Sequence, residues 1–272
     1  MYDNICKFIA EEFSEDIAAW LLGTEATLTQ LSPKELSVEP IRADSLILLT
    51  SEELILHLEF QTKPDEKIPF RMLDYRIRSH RRFPDKEMIQ VVIYLKPSTS
   101  DLVYQDNFRL SRTNHEFDII RLWEQPTEKF LNSIGLLPFA ALSQTNDKRA
   151  VLSKVAQVID SIPQKDIRSN IAACTDILAG LVLDKQIIVN LLREEIMRES
   201  VIYQDILKQG IEQGIEQGIA RGIEQGIEQG IEQVALNMLQ EGIEVRQVAK
   251  LTNLSLEHIE NLKTSFSGEE QK

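Results

Sequence analysis

The chain has 272 residues, 43% hydrophobic and 27% charged, with a formal charge of −13. That is the composition of an ordinary globular protein with room for one large domain or two smaller ones. Its acidity excludes a protein that coats nucleic acid with its whole surface. No run of about 18 apolar residues is present to span a membrane. The start, MYDNICKFIAEEF, carries charges where a signal peptide would have its apolar stretch. Cys6 and Cys174 lie far apart without metal-ligand spacing, which predicts free thiols in a reducing cytoplasm.

Residues Asp3 to Leu22 predict a helix, because Ile5, Phe8, Ile9, Phe13, Ile17, Trp20 and Leu21 recur near 3.6-residue spacing. Two strand-like runs follow, Ser45–Leu49 and Leu54–Gln61, joined by TSEE. Proline and charge mark a loop at Lys63–Lys67, and an amphipathic helix is expected from Ile68 to Arg82, ended by Phe83-Pro84. MIQVVIYL (Met88–Leu95) is a continuous apolar run and so a central strand. Leu102–Leu110 and Glu116–Trp123 alternate as further strands, and from Thr127 the pattern is helical. The expected organisation is a mixed α/β core over residues 1–125 and a helical extension over 126–205. A GIEQ repeat over 206–233 and a small helical tail over 234–272 complete it.

In the repeat, Gly210, Gly214, Gly218, Gly222, Gly226 and Gly230 hold six of the eleven glycines at a period of four. Each glycine costs a helix about 1 kcal/mol relative to alanine, and glutamates at i,i+4 repel. The isoleucines form a drifting apolar stripe for a partner helix to cover, so the segment is either a linker or an oligomerising helix. Its glutamates exclude lipid as the partner. The tail, with Gly242 as a stop and Ser255 as a cap, has a helix-turn-helix outline with Ala249 and Ile259 inward. The would-be reading helix carries Glu257 and Glu260, which phosphates would repel. A small interaction module is the favoured expectation.

The chemistry concentrates in the first half. Along Leu54–Gln61 one face carries Leu54, Leu56, Leu58 and Phe60, and the other His57, Glu59 and Gln61. If the TSEE loop is symmetric, Leu49 pairs with Leu54 and Asp44 falls opposite Glu59, with Cβ atoms about 5 Å apart. Two carboxylates there need a proton or a cation between them. Oxygen ligands with open positions for water suit Mg²⁺, which activates water and stabilises charge on a phosphate. From Lys67 to Lys96 there are eight Lys/Arg and three Asp/Glu, a local +5 in a chain that is otherwise −18. Arg71, Arg78 and Arg82 share one face of the expected helix, broadened by Arg76 and Arg81, and arginine suits phosphate geometry.

Asp44, the hairpin, Glu59-Phe60-Gln61 and the basic helix together resemble the PD-(D/E)XK nuclease superfamily. More narrowly the chain is similar to the Rpn family of recombination-promoting nucleases and transposases. YDNICKFIAEEF, RADSLILL, LHLEFQ, PFRMLDYR, VVIYLKP and LLPFAALSQT carry that likeness, as does the glycine-punctuated repeat. The resemblance implies a restriction-endonuclease-like mixed sheet flanked by helices, followed by an α-helical C-terminal region. It implies a Mg²⁺-dependent DNA endonuclease with Asp44 and Glu59 as metal ligands. Gln61 would stand in the place of the superfamily's lysine; it hydrogen-bonds but brings no positive charge, leaving more of the stabilisation to the metal. An acidic residue of the first helix often completes such sites, here Asp3, Glu11 or Glu12. Tyr75 is a phosphate contact or, more simply, a packing residue. DNA is the expected partner ahead of RNA, since no interleaved aromatics are present for stacking on single strands. A homo-oligomer through the repeat is expected as well. The alternative is a non-catalytic module binding nucleic acid or protein on a degenerate nuclease fold.

Overall fold

In β3 (Leu54–Gln61) alternation decides what each face meets. Leu56, Leu58 and Phe60 enter one apolar core, Ile55, His57 and Glu59 face the other way, and all six are buried. A strand covered on both faces belongs inside a sheet. It pairs antiparallel with β2 (Leu46–Thr50) and parallel with β4 (Glu87–Tyr94). The computed structural model describes residues 2–23, 28–31, 46–192, 197 and 200–269. Among these, the main sheet has five strands in the order β1–β2–β3–β4–β7. Here β1 is Thr29–Gln30 and β7 is Asp118–Arg121, parallel to β4.

The hairpin register differs from the expected one. Ser51 N–H donates to the Leu54 carbonyl (2.9 Å), and Ser51 Oγ accepts from Leu54 N–H (3.2 Å), so the turn closes on Glu52-Glu53 alone. Leu49 therefore pairs with Leu56 rather than Leu54, and Leu46 rather than Asp44 stands opposite Glu59. The two-residue shift preserves which face each side chain takes. Asp44 itself lies outside the described residues.

α3 (Ile68–Arg82), with the expected bounds, lies over the His57–Glu59 face. It closes two apolar clusters, one of Leu31, Leu48, Ile55, Tyr75 and Met88, the other including Ile68, Met72, Val92 and Tyr94. The opposite face of the sheet meets the largest core. This receives α1 (Tyr2–Glu12), α2 (Ser14–Leu22), a buried 3₁₀ stretch Ile134–Leu142, α5 (Lys148–Asp160) and α6 (Lys165–Ala179). The Phe60 and Phe139 rings stack across it at 5.8 Å. The short α4 (Glu128–Leu131) adds Phe130, and α7 (Lys185–Leu191) adds Ile188. The described residues of the expected helical extension, 126–205, are thus packed on the sheet's own core rather than set apart from it.

Three expected elements are subdivided, and of the expected strand Glu116–Trp123 only Asp118–Arg121 lies in the main sheet, with Leu122–Glu124 a 3₁₀ turn. The single helix Asp3–Leu22 breaks at Phe13, where Gly135 N–H donates to Asp16 Oδ2 (2.8 Å) and a side chain at Gly135 would collide with Phe13. The expected strand Leu102–Leu110 begins as a 3₁₀ turn, Asp101–Tyr104. Ser100 Oγ accepts from Leu102 N–H there, a local bond that competes with a sheet ladder. Only Asn107–Leu110 (β5) is extended, and it pairs with β6 (Thr113–Glu116) as a separate two-stranded hairpin.

The chain divides into two compact units, residues 1–206 and 207–272. Most of the second belongs to α8 (Val201–Gln240), a continuous helix through the glycine repeat. Ile211, Ile215, Ile219, Ile223 and Ile227 along it are 54–59% exposed. Gly242 (φ 80°) stops α8, and α9 (Val245–Thr252) and α10 (Leu256–Glu269) follow. Ser255 Oγ accepts from His258 N–H, and Ala235, Val248, Ala249 and Ile259 form a small core.

Candidate functional site

Between the two apolar clusters under α3 runs a band of buried polar side chains. Glu59, only 1% exposed, is its centre. Glu59 Oε1 accepts a hydrogen bond from Gln61 Nε2 (2.8 Å), and an Arg71 terminal nitrogen lies 2.8 Å from the same oxygen. The other Arg71 terminal nitrogen lies 3.5 Å from Asp65, whose carboxylate also accepts from Lys67 N–H at the start of α3. The guanidinium therefore sits between a buried and a half-buried carboxylate. Burial pushes the Glu59 carboxyl up to about 7, and the Asp3 and Asp65 charges push the same way; Arg71 and Gln61 offset only part of this.

His57 lies on the same face as Glu59, fully buried. Its ring meets Tyr75 edge-on at 5.1 Å, and Nε2 is 3.9 Å from Glu59 Oε2. Burial, followed by the nearby positive charges of Arg71 and His115, pushes the imidazole down to about 3, so it is neutral. In the parallel ladder His57 stands beside Gln90, and Gln90 Nε2 contacts His57 Nδ1 (2.9 Å) and the Met72 carbonyl (2.8 Å). His115, from the separate hairpin, reaches Gln90 Oε1 at 2.8 Å.

Of the residues expected in the site, the structure brings Gln61 and Arg71 each against Glu59 Oε1. Arg78 pairs with Asp74 at 2.9 Å, one turn away on α3. Arg82 is exposed at the end of α3, its guanidinium 5.9 Å from the Phe83 ring centre. Tyr75 is a packing residue, 7% exposed. Among the acidic candidates of α1, Asp3 has a charge that acts on Glu59. Glu11 is engaged by Lys7 and Gln30, and Glu12 faces solvent. Among the described residues, no three His, Cys, Asp or Glu side chains gather to hold a metal.

No protein-family model, curated protein or solved structure matches the chain.

Asp65, Gln90 and His115 escaped the sequence reading. Gln90 left a signal: it is the single polar residue inside MIQVVIYL. A polar side chain in a strand buried on both faces must find partners there. Asp65 and His115 left none, since each is placed by a loop or hairpin whose position the local sequence does not dictate. The arrangement as a whole holds a buried carboxylate against a cation at the edge of a basic helix. That can serve a hard metal ion, a phosphate bound through arginine, or a structural ion pair.

Proposed function

We propose that the chain is a Mg²⁺-dependent DNA endonuclease, a hydrolase of phosphodiester bonds associated with recombination or mobile elements. The observation that carries this is Glu59: a buried carboxylate on the central hairpin, bonded to Gln61 and lying under the arginine-bearing helix. The element order supports the restriction-endonuclease-like reading, with helices, three antiparallel strands, a helix and a parallel strand. So does the resemblance to Rpn nucleases, through which Asp44 joins Glu59 as the second ligand.

Glu59 fits such a cation in kind, because its oxygen already lies against a positive charge, that of Arg71. Asp44 and Glu59 would hold Mg²⁺, which when bound supplies a nucleophilic water and neutralises charge on the phosphate. Gln61 anchors the carboxylate and presents its amide to the attacking water. Arg71, released toward Asp65, and Arg78 and Arg82 further along the same helix stripe, hold the DNA backbone. Burial pushes both thiols up, Cys174 to about 12, which removes cysteine as a nucleophile. The unpaired cysteines support a cytoplasmic location. Among the described residues no helix is long and apolar enough to cross a membrane.

The test is plasmid cleavage with Mg²⁺ by wild type, Glu59→Gln and Asp44→Ala. Both variants should lose cleavage by about 10²–10³-fold or more, the scale of removing one transition-state electrostatic stabiliser. Equal cleavage by all three would assign the activity to another site. The second reading, a non-catalytic binding module, is favoured by one observation: Arg71 already stands beside Glu59 as an internal counter-ion. It predicts DNA retention without cleavage in every variant.

The exposed isoleucines of α8 support a homo-oligomer. A chain ending at Ile206 should form a smaller oligomer than full length while its 1–206 core stays folded. An unchanged assembly would make the repeat a linker.

A further inference from the structure

Gln90 is 4% exposed, and every hydrogen-bonding group of its amide has a partner. The Met72 carbonyl fixes which way the amide faces. Reversing it would set the Gln90 carbonyl oxygen 2.8 Å from the Met72 oxygen, acceptor against acceptor. With the orientation fixed, Nε2 donates one hydrogen to Met72 and the other to His57 Nδ1. Its carbonyl oxygen then accepts from His115 Nε2–H. His57 Nδ1 is thereby an acceptor, and a neutral imidazole must carry its single hydrogen on Nε2. That nitrogen is buried, has no hydrogen-bond partner among the described residues, and lies 3.9 Å from Glu59 Oε2.

We infer that Gln90 is a positioning residue: it sets the tautomer of His57 so that an N–H faces the free oxygen of Glu59. The two Glu59 oxygens then have different tasks. Oε1 is taken by Gln61 and Arg71. Oε2 faces a donor that a small carboxylate rotation or one bridging water engages. With the wrong tautomer, a nitrogen lone pair would face the carboxylate and repel it. Ligating carboxylates are held in orientation by such outer hydrogen bonds, and loss of one typically costs about 10–100-fold in activity. The catalytic part of the inference rests on the nuclease reading of Glu59; the tautomer does not.

Histidine side-chain ¹⁵N–¹H NMR of the full-length wild type reads the tautomer directly. His57 should appear as the Nε2–H form, with a coupling across the hydrogen bond from Gln90 Nε2 to His57 Nδ1. An Nδ1–H form, or a partner other than Gln90, overturns the assignment without any variant having to fold. Gln90→Met removes the donor facing Nδ1 and should let the hydrogen move to Nδ1; a folded Q90M that keeps a pure Nε2–H form also overturns it. In cleavage assays Gln90→Met should lower kcat about 10–100-fold with KM for DNA unchanged. Equal kcat in a cleaving wild type and Q90M removes the positioning role. If wild type does not cleave at all, the nuclease reading has failed, and the NMR result still decides the tautomer.

Discussion

Arg71→Met should destabilise the 1–206 unit by about 1 kcal/mol more at pH 8 than at pH 5. Removing one partner of a buried ion pair leaves the other charge uncompensated, which costs about 3–5 kcal/mol for fully buried pairs. The Arg71 side chain keeps 33% of its surface exposed, and with Glu59 titrating at about 7 only one pH unit of that cost is expressed at pH 8. The pH dependence follows from Glu59. Its carboxyl is already raised to about 7 by burial against the pull of Arg71. Without Arg71 it rises further, so the variant loses stability relative to wild type as pH climbs through and beyond 7. At pH 5 the carboxyl is protonated in both proteins, and little charge is left for Arg71 to compensate. Urea unfolding followed by Trp20 and Trp123, the only tryptophans and both in this unit, measures the difference. In a Glu59→Gln background the same Arg71 substitution should cost under about 1 kcal/mol. A cost equal at both pH values, or unchanged by Glu59→Gln, would show that Arg71 acts through packing alone.

The second large effect is a pair of opposed pH responses that conceal each other in wild type. His57 is held neutral in the fold down to about 3, whereas unfolded it takes a proton near 6.5. As pH falls from 6.5 toward 3 the unfolded state binds the extra proton, and His57 costs stability at about 1.4 kcal/mol per pH unit. Glu59 has the opposite sign. Its folded carboxyl titrates at about 7 against an ordinary 4.5, so its contribution is complete below 4.5 and is lost as pH rises to 7. Between 4.5 and 6.5 the two slopes offset each other. Relative to wild type, His57→Gln should therefore become more stable as pH drops through that window. Glu59→Gln should become less stable over the same range. Each difference should have a slope of about one proton. Parallel stability curves for all three proteins would show that neither group is perturbed by burial.

Both effects come from side chains that alternation alone placed correctly. The period-two pattern of LILHLEFQ put His57, Glu59 and Gln61 on one face, and that is how β3 lies in the sheet. The bounds of α3 were legible because Pro69 opens it, Phe83-Pro84 closes it and its apolar positions recur at helical spacing. Gly242 and Ser255 marked the tail helices for the same local reason. The hairpin register was not legible. TSEE is compatible with a four-residue loop, and the bonds between Ser51 and Leu54 that tighten it to two residues form only when the strands meet. Nor was the burial of Glu59 legible, since the solvated face of an antiparallel hairpin has the same alternating pattern.

The sequence by itself determined the extents of β3 and α3, which of their faces are apolar, where positive charge concentrates, and that Glu59 and Gln61 share a face. These follow from covalent geometry, side-chain period and composition, which act over a few residues. Only the tertiary structure decided that α3 covers that face and turns Glu59 from a solvated carboxylate into one that titrates at about 7. The same packing decided that Arg71 compensates it in competition with Asp65, and that Gln90 and His115, from 31 and 56 residues further on in the sequence, complete the network around it. Desolvation and hydrogen-bond satisfaction depend on what lies against a group from every direction, and those neighbours come from segments that local sequence does not relate.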